Sequence, residues 1–289
     1  MELSIIVAIF AQFIEKYNKM MKRTLLLSSL MFLFACTSLM ISSCKKEKQP
    51  PLVSGHRGMM SITPENTLAS IDSCIRYKVD YMECDVCISK DSVFYILHDA
   101  TLDRTTNGSG NIKDWYSVDV DTLDAGSWFG EEFKGQHVPR LTDVLRKAKG
   151  SGLKITIDYR SGDLNKLLDL VNSEDMWENC CFAFHSEEIA KHFISIAPDV
   201  KSLQVYMHDE ESLDRLAMEL KPGIAVIKIN ILTPELVKKC RKYNMKILAL
   251  VLGSEDKTKD YEKAMELGVD IVATDYPKEF IMEYIYNSK

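Results

Sequence analysis

From about residue 52 onward, short apolar runs rich in β-branched residues alternate with segments whose apolar positions recur every three or four residues. The first pattern reads as strand and the second as amphipathic helix. Strands are predicted over 52–56, 79–86, 93–98, 153–159, 180–185, 201–207, 224–230, 246–252 and 269–273. Helices are predicted over 65–77, 140–149, 163–175, 187–196, 210–220, 234–243, 257–267 and 277–286. Alternation of this kind calls for parallel strands joined by crossovers. Repeated so often, it predicts an α/β fold of the TIM-type (β/α)8 barrel. The candidate strands outnumber the places in such a barrel by one, so one is misread or lies outside it.

Two irregularities are expected. No helix fits between 86 and 93, where SKDS (89–92) reads as a turn. The flanking runs either pair as a hairpin, with His98 opposite Glu83 or Asp85, or end as parallel strands at the same barrel mouth. Residues 99–139 form the longest stretch without a clear strand. They hold Trp115, Trp128 and Phe129 and are expected to make a small excursion after strand 3, over the mouth.

Ahead of the barrel the pattern changes. Met20-Met21-Lys22-Arg23 is a basic start, and a long apolar run follows to small residues before Cys44. This is the layout of a secretory signal. Interrupting Thr and Ser argue against a spanning anchor. Ile41-Ser42-Ser43-Cys44 resembles a bacterial lipobox, whose cysteine is acylated and becomes the mature N-terminus. The expected division is an upstream extension (1–19) with no function assigned, a lipoprotein signal peptide (20–44), a polar linker (45–51) and the barrel domain (52–289). The expected product is exported and held by a lipid on Cys44 at a membrane, on the periplasmic side or at the cell surface.

The net charge of −6 over 289 residues argues against nucleic acid as a partner. An anionic substrate would need local positive charge or a bound cation. Of the eight cysteines, Cys36 falls in the signal and Cys44 at its end. Cys84-x-x-Cys87 has no second pair and would point its thiols to opposite faces of a strand, so zinc is not expected. Buried free thiols are expected instead for Cys74, Cys84, Cys87, Cys180, Cys181 and Cys240.

The candidate chemistry is concentrated in His56-Arg57-Gly58, Glu83-Cys84-Asp85 and His98-Asp99. Two carboxylates one residue apart on a strand share a face and can hold one hard cation, Ca2+ or Mg2+, through oxygen. Two histidines beside it can serve as general base and general acid near neutral pH.

SGHRG (54–58), PENT (64–67), ECDV (83–86), LHDATLDRTTNGSG (97–110), LDAGSWFGEEFKGQHVPRLTDVL (123–145) and, more loosely, GVDIVATDYP (268–277) together resemble the glycerophosphodiester phosphodiesterase family. The resemblance implies metal-dependent hydrolysis of a small phosphodiester to an alcohol and sn-glycerol 3-phosphate, with one divalent cation. It implies acid–base roles for His56 and His98 and a phosphate contact for Arg57, whose planar fork suits that anion. Glu65 and Asp99 are implied as supporting residues. The family's third metal carboxylate is usually a Glu followed two residues later by Lys. Here ITIDYR (155–160) offers Asp158 and Arg160, the charges kept and the acid one methylene shorter, which Ca2+ tolerates better than Mg2+. Arg160 is then a candidate for the phosphate.

The C-terminal half departs from the family. LALVLGSED (248–256) lacks its aromatic, AFHS (183–186) replaces a Ser-Phe, and Lys228 and Asn230 add polar groups. Lys228 is thereby a candidate substrate contact, and a polar alcohol group is the expected preference. His185 could reach the mouth, while His137, His192 and His208 are expected to be structural or superficial. Rival readings are a sphingomyelinase D or phosphoinositide phospholipase type of lipid phosphodiesterase, and a non-catalytic lipid-anchored binding protein. PENT and LDAGSWF disfavour the first; the presence of His56, Glu83, Asp85 and His98 disfavours the second.

Overall fold

The computed structural model describes residues 10–22, 49–253 and 257–286, and the chain divides into two compact units, Met1–Gln49 and Pro50–Lys289. In the first unit residues 10–22 are helical, with Phe10, Phe13, Ile14 and Tyr17 exposed. Cys44, the lipobox and most of the expected signal peptide lie outside the described residues. Among the described residues no helix is long and apolar enough to cross a membrane.

The second unit contains β1 (Leu52–Gly55), β2 (Tyr81–Ile88), β3 (Phe94–Ile96), β4 (Lys154–Tyr159), β5 (Cys180–Phe184), β6 (Leu203–Met207), β7 (Ile224–Lys228), β8 (Lys246–Val251) and β9 (Ile271–Thr274). All but β3 are parallel and close in the order β1-β2-β4-β5-β6-β7-β8-β9, with β9 paired back onto β1. This is the expected eight-stranded TIM-type barrel. The surplus candidate is β3, which pairs antiparallel with β2 as a hairpin. The hairpin register differs slightly from expectation: Val86 faces Ile96 and the Leu97 N–H donates to the Asp85 carbonyl, so His98 falls just past the pairing.

The crossovers are α1 (Leu68–Arg76), then the short α2 (Ser117–Val120) and α3 (Leu141–Ala148), then α4 (Leu164–Ser173), α5 (Glu187–Ile196), α6 (Glu210–Leu220), α7 (Pro234–Lys242) and α8 (Lys257–Leu267), and α9 (Pro277–Phe280) follows the last strand. Their starts follow local chemistry. The side chains of Asp163, Ser186, Asp209 and Thr233 accept from the first free N–H groups of α4, α5, α6 and α7. Such caps are each worth about 0.5–2 kcal/mol.

β2 shows how one strand serves two layers. Met82, Cys84 and Val86 are fully buried against the helices, while Tyr81, Glu83 and Asp85 point inward by the period of two. The lower interior is filled by Tyr81, Cys181, Ile224, Val226, Leu248, Ile271 and Ala273. Above them Gln204 donates to Thr156 Oγ1 at 3.0 Å. The inward positions beyond that, toward the strand C-termini, carry the candidate site. The excursion between β3 and α3 has a small core of its own, with Leu102, Ile112, Val120, Leu123 and Val138 packed on Cys87, Tyr95 and Leu97. The six cysteines of the described residues are buried and unpaired, as expected.

Candidate active site

The chain leaves β1 in a sharp turn that SGHRG makes possible. A Cβ on Gly55 would lie 2.4 Å from the Gly58 carbonyl oxygen. One on Gly58, whose φ is +90°, would lie 2.0 Å from Ser70 Oγ. Arg57 itself sits in the left-handed region at φ 52°, a strained choice for a non-glycine residue. The turn sends the Arg57 N–H to Glu83 Oε2 at 2.8 Å and its guanidinium to Glu65 Oε1 at 3.0 Å.

Glu83, Asp85 and Asp158 form the centre. β2 and β4 pair so that Asp85 stands beside Asp158 and Glu83 beside Thr156. One oxygen from each of the three carboxylates lies within 4.8 Å of the others. Burial first, then the charges of Asp85 and Asp158, raise the Glu83 carboxyl well above the ordinary range. Asp158 Oδ1 and Asn66 Oδ1 are buried acceptors without a hydrogen bond, and Asn66 donates its amide to Asp85 Oδ2 at 2.9 Å. Converging carboxylates plus bare oxygen acceptors fit a hard cation with oxygen ligands.

Both candidate histidines are oriented by carboxylates. His56 Nδ1 donates to Asp275 Oδ1 at 2.7 Å, and His98 Nδ1 to Asp99 Oδ1 at 2.6 Å. Each arrangement leaves Nε2 for proton transfer. Burial tends to raise the Asp275 carboxyl, but its bonds to His56 and Gly253 outweigh it and hold the group low. The Arg104 fork holds Asp99 down at about 2. Arg104 bonds Asp99 and, through two more contacts of 2.9 Å, Glu65. An unbroken polar chain thus runs from His98 through Asp99, Arg104, Glu65 and Arg57 to Glu83.

Glu65 does not open the first helix, which starts at Leu68 with Thr67 as its cap. It is buried between two guanidinium groups, so capping is not its role. Arg160, expected at the phosphate, directs its guanidinium to Asp85 Oδ1 at 2.6 Å and Asp158 Oδ2 at 3.0 Å. His185 does reach the site, at 3.0 Å from Asp158 Oδ2. Asp275, Asn66, Tyr206 and Gln204 were not among the expected site residues. Asp275 lies in a motif matched at sequence level, and Asn66 in PENT.

A cavity of about 160 Å³ opens at this end, lined by His56, Glu83, Asp158, Arg160, His185 and Tyr206 on one side. Its other side is aliphatic, with Val226, Leu248, Leu250, Leu252 and Ala273. Lys228 is not part of this lining: it is exposed one pleat farther out than Val226, and Asn230 is exposed as well. Within the cavity the far wall is therefore aliphatic, with Lys228 and Asn230 outside it. A second cavity, about 210 Å³, lies at the opposite end among the strand N-termini and contains none of the candidate residues.

Carboxylates, histidines and guanidinium groups gathered at the C-terminal mouth of a parallel barrel define a barrel hydrolase for an anionic ester. The comparisons agree. Residues 56–279 match the glycerophosphoryl diester phosphodiesterase family. A glycerophosphodiester phosphodiesterase of Caldanaerobacter subterraneus subsp. tengcongensis is 30% identical over 237 residues, covering 80% of this chain and 96% of that one. The crystal structure of a glycerophosphodiester phosphodiesterase from Agrobacterium tumefaciens superposes with a TM-score of 0.74 at 31% identity, over 80% of this chain and 99% of that one. An Oleispira antarctica phosphodiesterase, solved with the product sn-glycerol-3-phosphate, superposes with a TM-score of 0.73 at 23% identity, covering 81% and 96%, and supports the fold alone. The chain belongs to the glycerophosphoryl diester phosphodiesterase family. It is an enzyme, a hydrolase of glycerophosphodiesters.

The Asp275 contact makes the first prediction. Asp275→Asn keeps the volume but offers His56 an amide, which favours the wrong imidazole tautomer. The same change costs about 10⁴-fold in kcat in a serine-protease triad. A loss of at least about 10-fold in kcat, with little change in KM, is expected here. Steady-state kinetics on the folded variant check it, and an unchanged kcat removes Asp275 from the mechanism.

Proposed function

We propose that the enzyme releases an alcohol and sn-glycerol 3-phosphate by His56/His98 acid–base catalysis, beside a divalent cation, Ca2+ or Mg2+, held by Glu83, Asp85 and Asp158. The observation that carries this reading is the convergence of three carboxylate oxygens within 4.8 Å at the mouth where His56 lies. When bound, such a cation polarises a phosphoryl oxygen and offsets the charge that builds in the transition state. The protein supplies the rest. Arg57 presents a guanidinium beside the triad, with Nε 3.6 Å from Asp85 Oδ2, and its planar fork suits a phosphate oxygen. One histidine Nε2 takes a proton from the attacking oxygen, a water or the substrate's neighbouring hydroxyl, and the other gives a proton to the leaving alcohol; a cyclic phosphate formed by the second route is opened by water. Asp275 and Asp99 favour the imidazolium of whichever ring has gained the proton. A panel of glycerophosphodiesters, assayed for glycerol phosphate with each cation, tests this reading; turnover of none of them contradicts it.

We infer further that the protein is a lipoprotein, exported and anchored through an acylated Cys44. The support is sequence alone: a basic start, an apolar run and Ile41-Ser42-Ser43-Cys44. Cys44→Ser is expected to release the protein from the membrane fraction or leave its signal uncut. Mass spectrometry of the mature wild-type N-terminus checks the same point, and an unmodified Cys44 in soluble protein contradicts it.

A further inference from the structure

Asp158 differs from the other two carboxylates in how its oxygens are divided. Oδ2 receives three donors: Arg160 Nη2 at 3.0 Å, His185 Nε2 at 3.0 Å and the Tyr206 hydroxyl at 3.3 Å. Oδ1 is buried and receives none. The division leaves Oδ1 without a protein donor, in a carboxylate that brings an oxygen within 4.8 Å of one from Glu83 and one from Asp85.

Arg160 alone would not produce it. A guanidinium beside a carboxylate tends toward the bidentate fork, which engages both oxygens. Arg160 already straddles Asp85 and Asp158, so it competes with any cation for the same groups. His185 and Tyr206 approach Oδ2 from the ends of other strands and complete its hydrogen bonding. Their rings stack, with centroids 4.6 Å apart and planes 18° from parallel, so each fixes the other's approach. The shortness of Asp adds to the need. Its carboxylate sits close to its own strand and cannot reach out to correct a misplaced oxygen.

We propose that His185 and Tyr206 are positioning residues for Asp158, and that by occupying Oδ2 they set the affinity of the carboxylate triad for its divalent cation. The proposal rests on the cation-holding reading of Glu83, Asp85 and Asp158. It assigns neither residue to proton transfer or to the substrate, although both line the cavity.

The test is calorimetric titration of the full-length protein, in detergent and without substrate, with Ca2+ and with Mg2+. Removal of such an outer partner costs about 10–100-fold in metal affinity. Tyr206→Phe, which keeps the ring and loses only the hydroxyl, is expected to weaken cation binding by about 10-fold, the lower end of that range. His185→Ala should act in the same direction, and His185→Gln, whose amide nitrogen can donate to the same oxygen, should recover part of the loss. The cation concentration for half-maximal activity should rise by the same factor as Kd, while KM for the diester at saturating cation stays in place. Unchanged cation affinity in folded Tyr206→Phe overturns the proposal, as does a raised KM with cation binding intact, which would make the pair a substrate contact. Wild-type protein that binds neither cation overturns the triad reading as well, and so separates the two failures. Should His185→Ala not fold, Tyr206→Phe decides.

Discussion

His56→Ala and His98→Ala are each expected to lower kcat by at least about 10²-fold, the lower end of what a positioned acid or base contributes. Each imidazole is tied at Nδ1 to its own carboxylate, Asp275 or Asp99, which leaves Nε2 free to exchange a proton. Neither side chain belongs to the apolar core clusters of the described residues. Both are partly exposed, His56 at 21% and His98 at 31%, so the fold should persist on truncation. The two variants should still differ. His56 lies on the cavity itself, whereas His98 stands at the far end of the chain through Asp99, Arg104, Glu65 and Arg57. His98→Ala therefore also frees Asp99, whose charge then falls to Arg104 alone. Single-turnover rates with circular dichroism as a folding control provide the measurement. Near-normal turnover in either variant removes that histidine from the chemistry.

Glu83→Gln is the second change with a large expected effect, and it should separate stability from activity. In metal-free protein the Glu83 carboxyl is raised well above its ordinary value by burial and by the charges of Asp85 and Asp158. A carboxyl raised on folding stabilises the folded state below its unfolded value, and that contribution is lost as pH rises through the folded value. The metal-free wild type should therefore lose stability as pH rises above the ordinary carboxylate range. Glu83→Gln should lose less and melt higher at neutral pH. With cation present the order reverses, because the wild type gains binding energy that the variant lacks. Cation affinity of the wild type should also rise with pH, since binding must displace the proton on Glu83. Loss of one ligand should remove several kcal/mol of transition-state stabilisation, roughly 10²-fold or more in kcat. Melting curves across pH with and without Ca2+ or Mg2+ give the answer. Identical pH profiles for both proteins would contradict the account of Glu83.

Much of this architecture was legible in the sequence because its signals are local. Strand runs, helix caps such as Asp163 and Thr233, and the alternation that puts Glu83 and Asp85 on one face all lie within a few residues. The hairpin after β2 was legible only as one of two options, since SKDS permits a turn without deciding what pairs across it. The sequence places the start of the first helix too early because Pro64-Glu65-Asn66 looks like a helix start; Asn66, at φ 53°, holds that segment in a loop until Thr67 caps. Asp275 and Tyr206 are out of reach of the sequence for a different reason, and His185 is legible only as a strand-end residue able to reach the mouth. Each meets its partner only through the packing of separate strands, with β9 beside β1, β5 beside β4 and β6 one strand farther on, beside β5. Lys228 ends β7 exposed to solvent, while Val226, two residues earlier, lines the cavity.

The most direct test of the central claim is turnover of a glycerophosphodiester by the full-length protein before chelation, after exhaustive chelation, and after return of Ca2+ or Mg2+. Glycerol phosphate would be measured alongside bound metal. Product formation is expected to stop when the metal is removed and to resume with at least one of the two cations. Full activity in protein shown to carry no metal would contradict it.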